Sequence, residues 1–412
     1  AATAADVLPY GSYTIRETKA PEGYLLNGGW SQSFQVRAQG TVIDLTDDAH
    51  VVADQMVRGD VALRKVDAEL DESLPLGAAT LAGAEVTVTN SSAHAVRVNG
   101  NEYQSGEVVT TLVTDEAGEA STTGGALPYG TYTLRETKAP TGYLLDREWS
   151  RTIQVREDGA VVDVTDVADA LPDQAKRADL RLVKADEDSQ DRMANVAFSL
   201  SSKSTGESHV LVTDENGMVD TSATFNGRED GSVNASDAAV SDDGTVDDSK
   251  LDATSGIWFS GRTDRQTTPT DALGALPYDT YDLRELRCAA NEGHRLVSMT
   301  VNVTRDGYQL DLGTFDDKEV TVGTTLATPE GAKELQEGTT VALVDEVRYE
   351  GLAANAEYVI HGELHDMDAD GNDLGVVAET DFPLQTEFQA DTVSVPFPEV
   401  DTTGMAGHRL VA

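Results

Sequence analysis

Basic residues are scarce: 30 Lys and Arg stand against 73 Asp and Glu, a formal net charge of −43 over 412 residues. A surface that neutralises phosphate needs clustered Lys and Arg, so this deficit argues against nucleic acid and anionic membrane as partners. Cysteine is scarcer still. With Cys288 alone, no disulfide can form within the chain, and any covalent staple must use other chemistry. No apolar run approaches the ~20 residues of a membrane span, and the opening AATAADVLPYG has neither the basic start nor the apolar stretch of a secretion signal. Motifs of turnover and metal binding are missing too. Seven dispersed His, among them His50, His94 and His361, lack zinc spacing, and there is no GxSxG or P-loop. DMDADGNDLG from Asp366 starts like an EF-hand loop but carries Val377 where the final Glu is needed, so it reads as an acidic hairpin tip. No metal, no cofactor and no enzymatic turnover are expected.

What the chain does have is a repeat. LPYGSYTIRETKAPEGYLL from Leu8 returns as LPYGTYTLRETKAPTGYLL from Leu127, at an offset of 119 residues that holds through Trp30 and Trp149 to Asp47 and Asp166. A degenerate third copy, LPYDTYDLRELRCAANEGHRL, starts at Leu276 and ends in LDLGTFDDKEV. Segments such as VALRKVD, AEVTVTN, RTIQVRE and AVVDVTD alternate with period two between Gly, Pro and Asp clusters, which predicts an all-β chain of tandem Ig-like sandwiches with little helix. The expected divisions are unit 1, residues 1–55, entered partway through a domain; unit 2, 56–174; unit 3, 175–320; and unit 4, 321–412, a different kind of domain. Within unit 3, residues 227–256 are acidic and lack apolar periodicity, which predicts a mobile, solvated loop. The three Trp read as core residues.

Charges recur on inward faces. Val61, Leu63 and Lys65 share one parity, as do Leu180, Leu182 and Lys184; Val162 and Val164 lead to Asp166, and Leu310 and Leu312 to Asp316. Between each Lys and Asp lies an acid on the strand after LPY, Glu136 or Glu285. Three buried ionisable groups are costly unless they neutralise one another. Burial lowers a Lys pKa and raises that of a carboxyl, which makes amine and acid forms accessible together and favours amide formation with Glu as proton shuttle. A plain buried salt bridge, or an edge Lys that snorkels outward, satisfies the same pattern.

LPYGTYTLRETKAPTGYLL, preceded by LAGAEVTVTN and closed by VVDVTD, resembles the Cna B-type or SpaA-type prealbumin-like domains of Gram-positive surface proteins and pilins. The resemblance implies isopeptide bonds joining Lys65 to Asp166 and Lys184 to Asp316 (or Asp317), with Glu136 and Glu285 as catalysts; unit 1 keeps Glu17 and the acceptor Asp47 but has no upstream Lys. Residues 321–412, with VGTTLATPEG and VALVDEVRYEGL, resemble the VaFE repeat, whose Thr–Gln ester chemistry would fall on Thr324, with Asp345 nearby and the partner strands expected after Ala412. A cross-linked stalk segment of a secreted, wall-attached adhesin or pilin-like protein follows. Its partners would be neighbouring domains and, through regions outside this stretch, a host matrix protein or glycan. The competing reading is a ligand-binding adhesin module recognising a host protein or glycan, with the acidic insertion as its site; a further one is the accessory modules of an extracellular enzyme.

Overall fold

The computed structural model describes residues 2–166, 168–229 and 231–412, without the side chain of Asp317. In unit 2 the strand Arg58–Asp67, here the lysine strand, pairs antiparallel with Glu119–Ser121 and Leu127–Pro128 and parallel with Val161–Val164 and Leu171–Asp173. The facing sheet runs Ser150–Val155, Gly130–Lys138, Glu85–Asn90, Val108–Val113. Alternation delivers Val61, Leu63, Val86, Val88, Tyr132 and Leu134 into one core between the two sheets. Unit 3 repeats the plan: its lysine strand Arg177–Asp186 pairs parallel with Gln309–Asp317, opposite the sheet Ser208–Val212, Ala197–Ser202, Asp279–Glu285, Ser298–Val303.

The LPYxxY motif has a local cause. Each second Tyr donates its hydroxyl to the carbonyl of the Pro four residues back: Tyr13 to Pro9, Tyr132 to Pro128 and Tyr281 to Pro277, all at 2.8 Å. A buried phenol needs such a partner. The bond fixes the corner from which the glutamate strand departs.

Unit 1 contributes the antiparallel pair Gly11–Arg16 and Ser31–Val36, with Tyr24–Leu25 paired to Gln55–Met56. Unit 4 pairs Val344–Glu350 with Ala390–Pro396, and Glu357–Met367 with Asp373–Gln385 and Arg409–Val411, around Leu343, Leu364, Phe397 and Val400. DMDADGNDLG turns between two of these strands, and Asp368 accepts the amides of Asp370 and Asn372.

Successive units meet through a repeated backbone relay. Val57 donates its N–H to Gly23 and accepts from Tyr129 N–H; Lys176 does the same between Gly142 and Tyr278, each bond 2.8 Å. Gly23 (φ +85°) and Gly142 (φ +90°) lie against the rings of Tyr129 and Tyr278, where an added Cβ would come within 2.8 and 3.0 Å of the ring atoms. The same first step recurs where Val320 N–H meets Gly293 at 2.8 Å. At the second joint Arg177, fully buried, grips Glu69 of unit 2 through two bonds of 2.8 Å, donates to the carbonyls of Phe259 and Ala275 and stacks 4.0 Å from the Trp258 ring.

The acidic insertion is folded, contrary to expectation. Val240, Val246, Leu251 and Ala253 cover Ala197, Val210 and Val212 on the outer face of a unit 3 sheet. Asp237 accepts Val210 N–H at 2.8 Å and pairs with His209 at 2.7 Å, while buried Arg228 holds Asp179 at 2.7 Å. Asp243, Asp247 and Asp252 cap local turns by accepting Thr245, Ser249 and Thr254 amides. The acids act here as turn formers, and the apolar residues, spaced singly, show no period because they cover a sheet instead of forming a strand.

Candidate cross-linking sites

The sandwich brings Lys65, Glu136 and Asp173 together in unit 2. Lys65 Nζ lies 2.6 Å from Asp173 Oδ2 and 3.1 Å from Glu136 Oε1, and all three side chains are excluded from solvent. Yet Lys65 Nζ and all four carboxylate oxygens lack an aligned hydrogen bond. Such a contact is close enough for reaction and poorly satisfied as a salt bridge. Burial pushes the Asp173 carboxyl up to about 8; Lys65 pulls it back and Glu136 adds to the rise. Burial likewise raises Glu136, against the pull of Lys65. An acid held neutral in this way is the electrophile that amide formation requires.

Asp173 therefore takes the place expected for Asp166. The strand Val161–Val164 ends where Asp163 caps Thr165, and the chain turns before Leu171–Asp173 resumes beside the lysine strand. Parity does not survive that turn: Asp166 is exposed, and its carbonyl closes the turn by accepting Asp169 and Ala170 amides. Leu171 registers with Lys65, so Asp173, two residues on, returns to the lysine's face. The signal was present in the repeat, since Ala53-Asp54-Gln55 aligns with Pro172-Asp173-Gln174 at the same 119-residue offset.

Unit 1 bears the same correction. Asp47 is exposed and pairs with His50, whereas Asp54 sits beside Glu17; burial and then Asp54 raise the Glu17 carboxyl. In unit 3 Lys184 Nζ lies 3.0 Å from Glu285 Oε2, both fully buried. Asp316 is exposed and registers with Ala185, while the backbone of Asp317 registers with Asp186, as Asp173 does with Asp67. The side chain of Asp317 lies outside the described residues.

In unit 4 Thr324 is exposed, between short strands, and Asp345 is buried with Oδ1 lacking a hydrogen bond; burial raises its carboxyl while the Thr325 amide lowers it. Nothing in these strands joins the two side chains among the described residues. Trp258, just after the acidic insertion, is 2% exposed and lies between Arg177 and Arg228, as a core residue should. Cys288 is buried 3.6 Å from the Asn195 carbonyl. No helix among the described residues is long and apolar enough to cross a membrane.

Two family models agree with this architecture. Residues 2–49 and 59–168 match the SpaA prealbumin-like fold domain, and residues 320–412 match the T-Q ester bond containing domain. No curated protein matches. Among solved structures, the chain is similar to the Bacillus anthracis TIE protein at 20% identity and TM-score 0.46, covering 76% of this chain and 43% of that one. It is also similar to BcpA, the major pilin subunit of Bacillus cereus, at 13% identity and TM-score 0.27, covering 76% and 86%. A C-terminal fragment of the pilus adhesin SpaC from Lactobacillus rhamnosus GG matches at 14% identity and TM-score 0.31, covering 63% and 97%. The chain spans less than half the length of the Bacillus anthracis protein. It carries SpaA-type prealbumin-like domains followed by a T-Q ester bond domain.

Proposed function

We propose that this chain is a stalk segment of a Gram-positive, wall-attached surface adhesin or pilin-like protein, stiffened by self-formed Lys65–Asp173 and Lys184–Asp317 isopeptide bonds. The observation that carries the reading is the Lys65–Glu136–Asp173 triad, buried, within 3.1 Å and without aligned hydrogen bonds. Proton transfer within the triad leaves Lys65 as a free amine and Asp173 as an acid. The amine attacks the Asp173 carboxyl carbon, Glu136 relays the amine proton to the departing hydroxyl, and the C–N bond replaces a C–O bond with loss of one water per site. The event happens once; it is cross-linking, without turnover. For unit 3 the choice of Asp317 rests on backbone register with Lys184 and its neighbours.

The mechanical consequence follows from chain order. Tension entering along Arg58–Asp67 crosses at Lys65 to Asp173, leaves through Gln174, Ala175 and Lys176, and crosses again at Lys184. The bodies of both sandwiches then lie outside the stretched path, and the glycine–tyrosine relay with the Arg177 grip resists bending at the joints. Digestion followed by mass spectrometry tests the assignment. Branched peptides joining Lys65 to Asp173 and Lys184 to Asp317 are expected; linear peptides alone, or a branch at Asp166 or Asp316, would refute it.

A further inference from the structure

Unit 3 departs from unit 2 just after its glutamate. RETKAPTG becomes RELRCAANEG, so the path from Glu285 to the joint glycine Gly293 is two residues longer than that from Glu136 to Gly142. The extra residues form the short turn Ala289–Asn291, which buries Asn291 completely. Asn291 Oδ1 accepts Cys288 N–H at 2.9 Å; Asn291 Nδ2 donates to the Leu286 carbonyl and to Glu285 Oε1, each at 2.8 Å. Val297 N–H and Lys184 Nζ, both at 3.0 Å, occupy Glu285 Oε2. Glu285 is therefore fixed at both oxygens, whereas neither oxygen of Glu136 has an aligned hydrogen bond.

We propose that Asn291 is a positioning residue for the unit 3 cross-link, its side-chain N–H orienting Glu285 so that Oε2 faces Lys184. The proposal rests on the isopeptide reading. Asn291 touches neither reacting atom; it acts by holding the shuttle in one rotamer, which removes the orientational freedom that proton transfer would otherwise have to overcome. A departure from the RETKAP pattern thus carries its own replacement support.

The test uses the full chain, recovered unfolded in urea, diluted into folding buffer and quenched at intervals, with both branched peptides quantified by mass spectrometry. The unit 2 bond serves as an internal clock, and hydrogen exchange at Val210 reports folding of unit 3. At neutral pH, Asn291→Asp and Asn291→Ala should slow the unit 3 bond on the order of tenfold, the worth of about one hydrogen bond, with unit 2 unchanged. In mild acid the introduced carboxylic acid of Asn291→Asp regains a donor proton, and its rate should approach wild type; Asn291→Ala should stay slow. Wild-type rates in folded variants, or an equal deficit for both variants at every pH, would overturn the positioning role. A wild-type chain that never forms the unit 3 bond would instead overturn the isopeptide reading.

Discussion

Units 2 and 3 place a Lys and a Glu on corresponding strands of the same sandwich, yet they support them differently. In unit 2 the triad stands in an apolar core with its oxygens unaligned; in unit 3 Asn291 and Val297 bind the glutamate, and a folded insertion braces the sheet outside it. The same strand framework therefore holds two local solutions, and what the two units share is the backbone register that sets the proposed acceptor two residues beyond the lysine's partner. Local support can vary while register stays fixed.

The comparison breaks most sharply at Glu136, the proposed proton shuttle. Glu136→Ala should abolish the unit 2 bond, leave the unit 3 bond intact and return one water to the intact mass. Losing a cross-link that closes a loop of ~100 residues costs about 4.7 kcal/mol in the chain-entropy model, so thermal unfolding should acquire an early transition. Asp173→Ala should do the same, whereas Asp166→Ala should change neither mass nor melting. That pair of variants separates the register argument from the parity argument.

Next in size is the joint. Arg177→Ala strands Glu69 at the boundary of units 2 and 3, and breaking a buried pair costs about 3–5 kcal/mol. Because Arg177 also donates to Phe259 and Ala275, both the joint and the unit 3 backbone around these two residues should loosen. Small-angle scattering should report a broader spread of angles between the units, with both cross-links retained.

A smaller effect belongs to unit 3 alone. Burial opposes charge on His209, but Asp237 and Glu207 overcome it and raise its pKa to about 9. A His with a raised folded pKa stabilises fully below its unfolded value of about 6.5. That contribution is lost as pH rises through about 9. Hydrogen exchange at Val210 and in residues 235–250 should therefore speed up, beyond the intrinsic base-catalysed rise, between neutral and alkaline pH, while unit 2 shows no such excess.

How much of this was legible in the sequence differs by residue. Lys65, Lys184, Glu136 and Glu285 were readable because each lies within one uninterrupted strand, where period two fixes the facing of every side chain. Asp173 was not, because a turn stands between it and the alternation of Val162 and Val164. Asp54 and Asp173 were recoverable only by carrying the repeat past the last motif. The insertion was misread because composition counts its acids as repulsion, while Asp237 serves as an ion-pair and amide partner and Asp243, Asp247 and Asp252 as caps. The joint glycines lie in PEGY and PTGY, but their partners are the tyrosines of the following unit, a relation that alternation within a strand cannot express.

The most direct measurement is the intact mass of the folded wild-type chain, followed by sequencing of its branched peptides. The account predicts a mass two waters below that of the sequence, with Lys65 joined to Asp173 and Lys184 to Asp317. A full sequence mass, with both lysines recovered in linear peptides, would contradict it and leave the triad as a buried salt bridge.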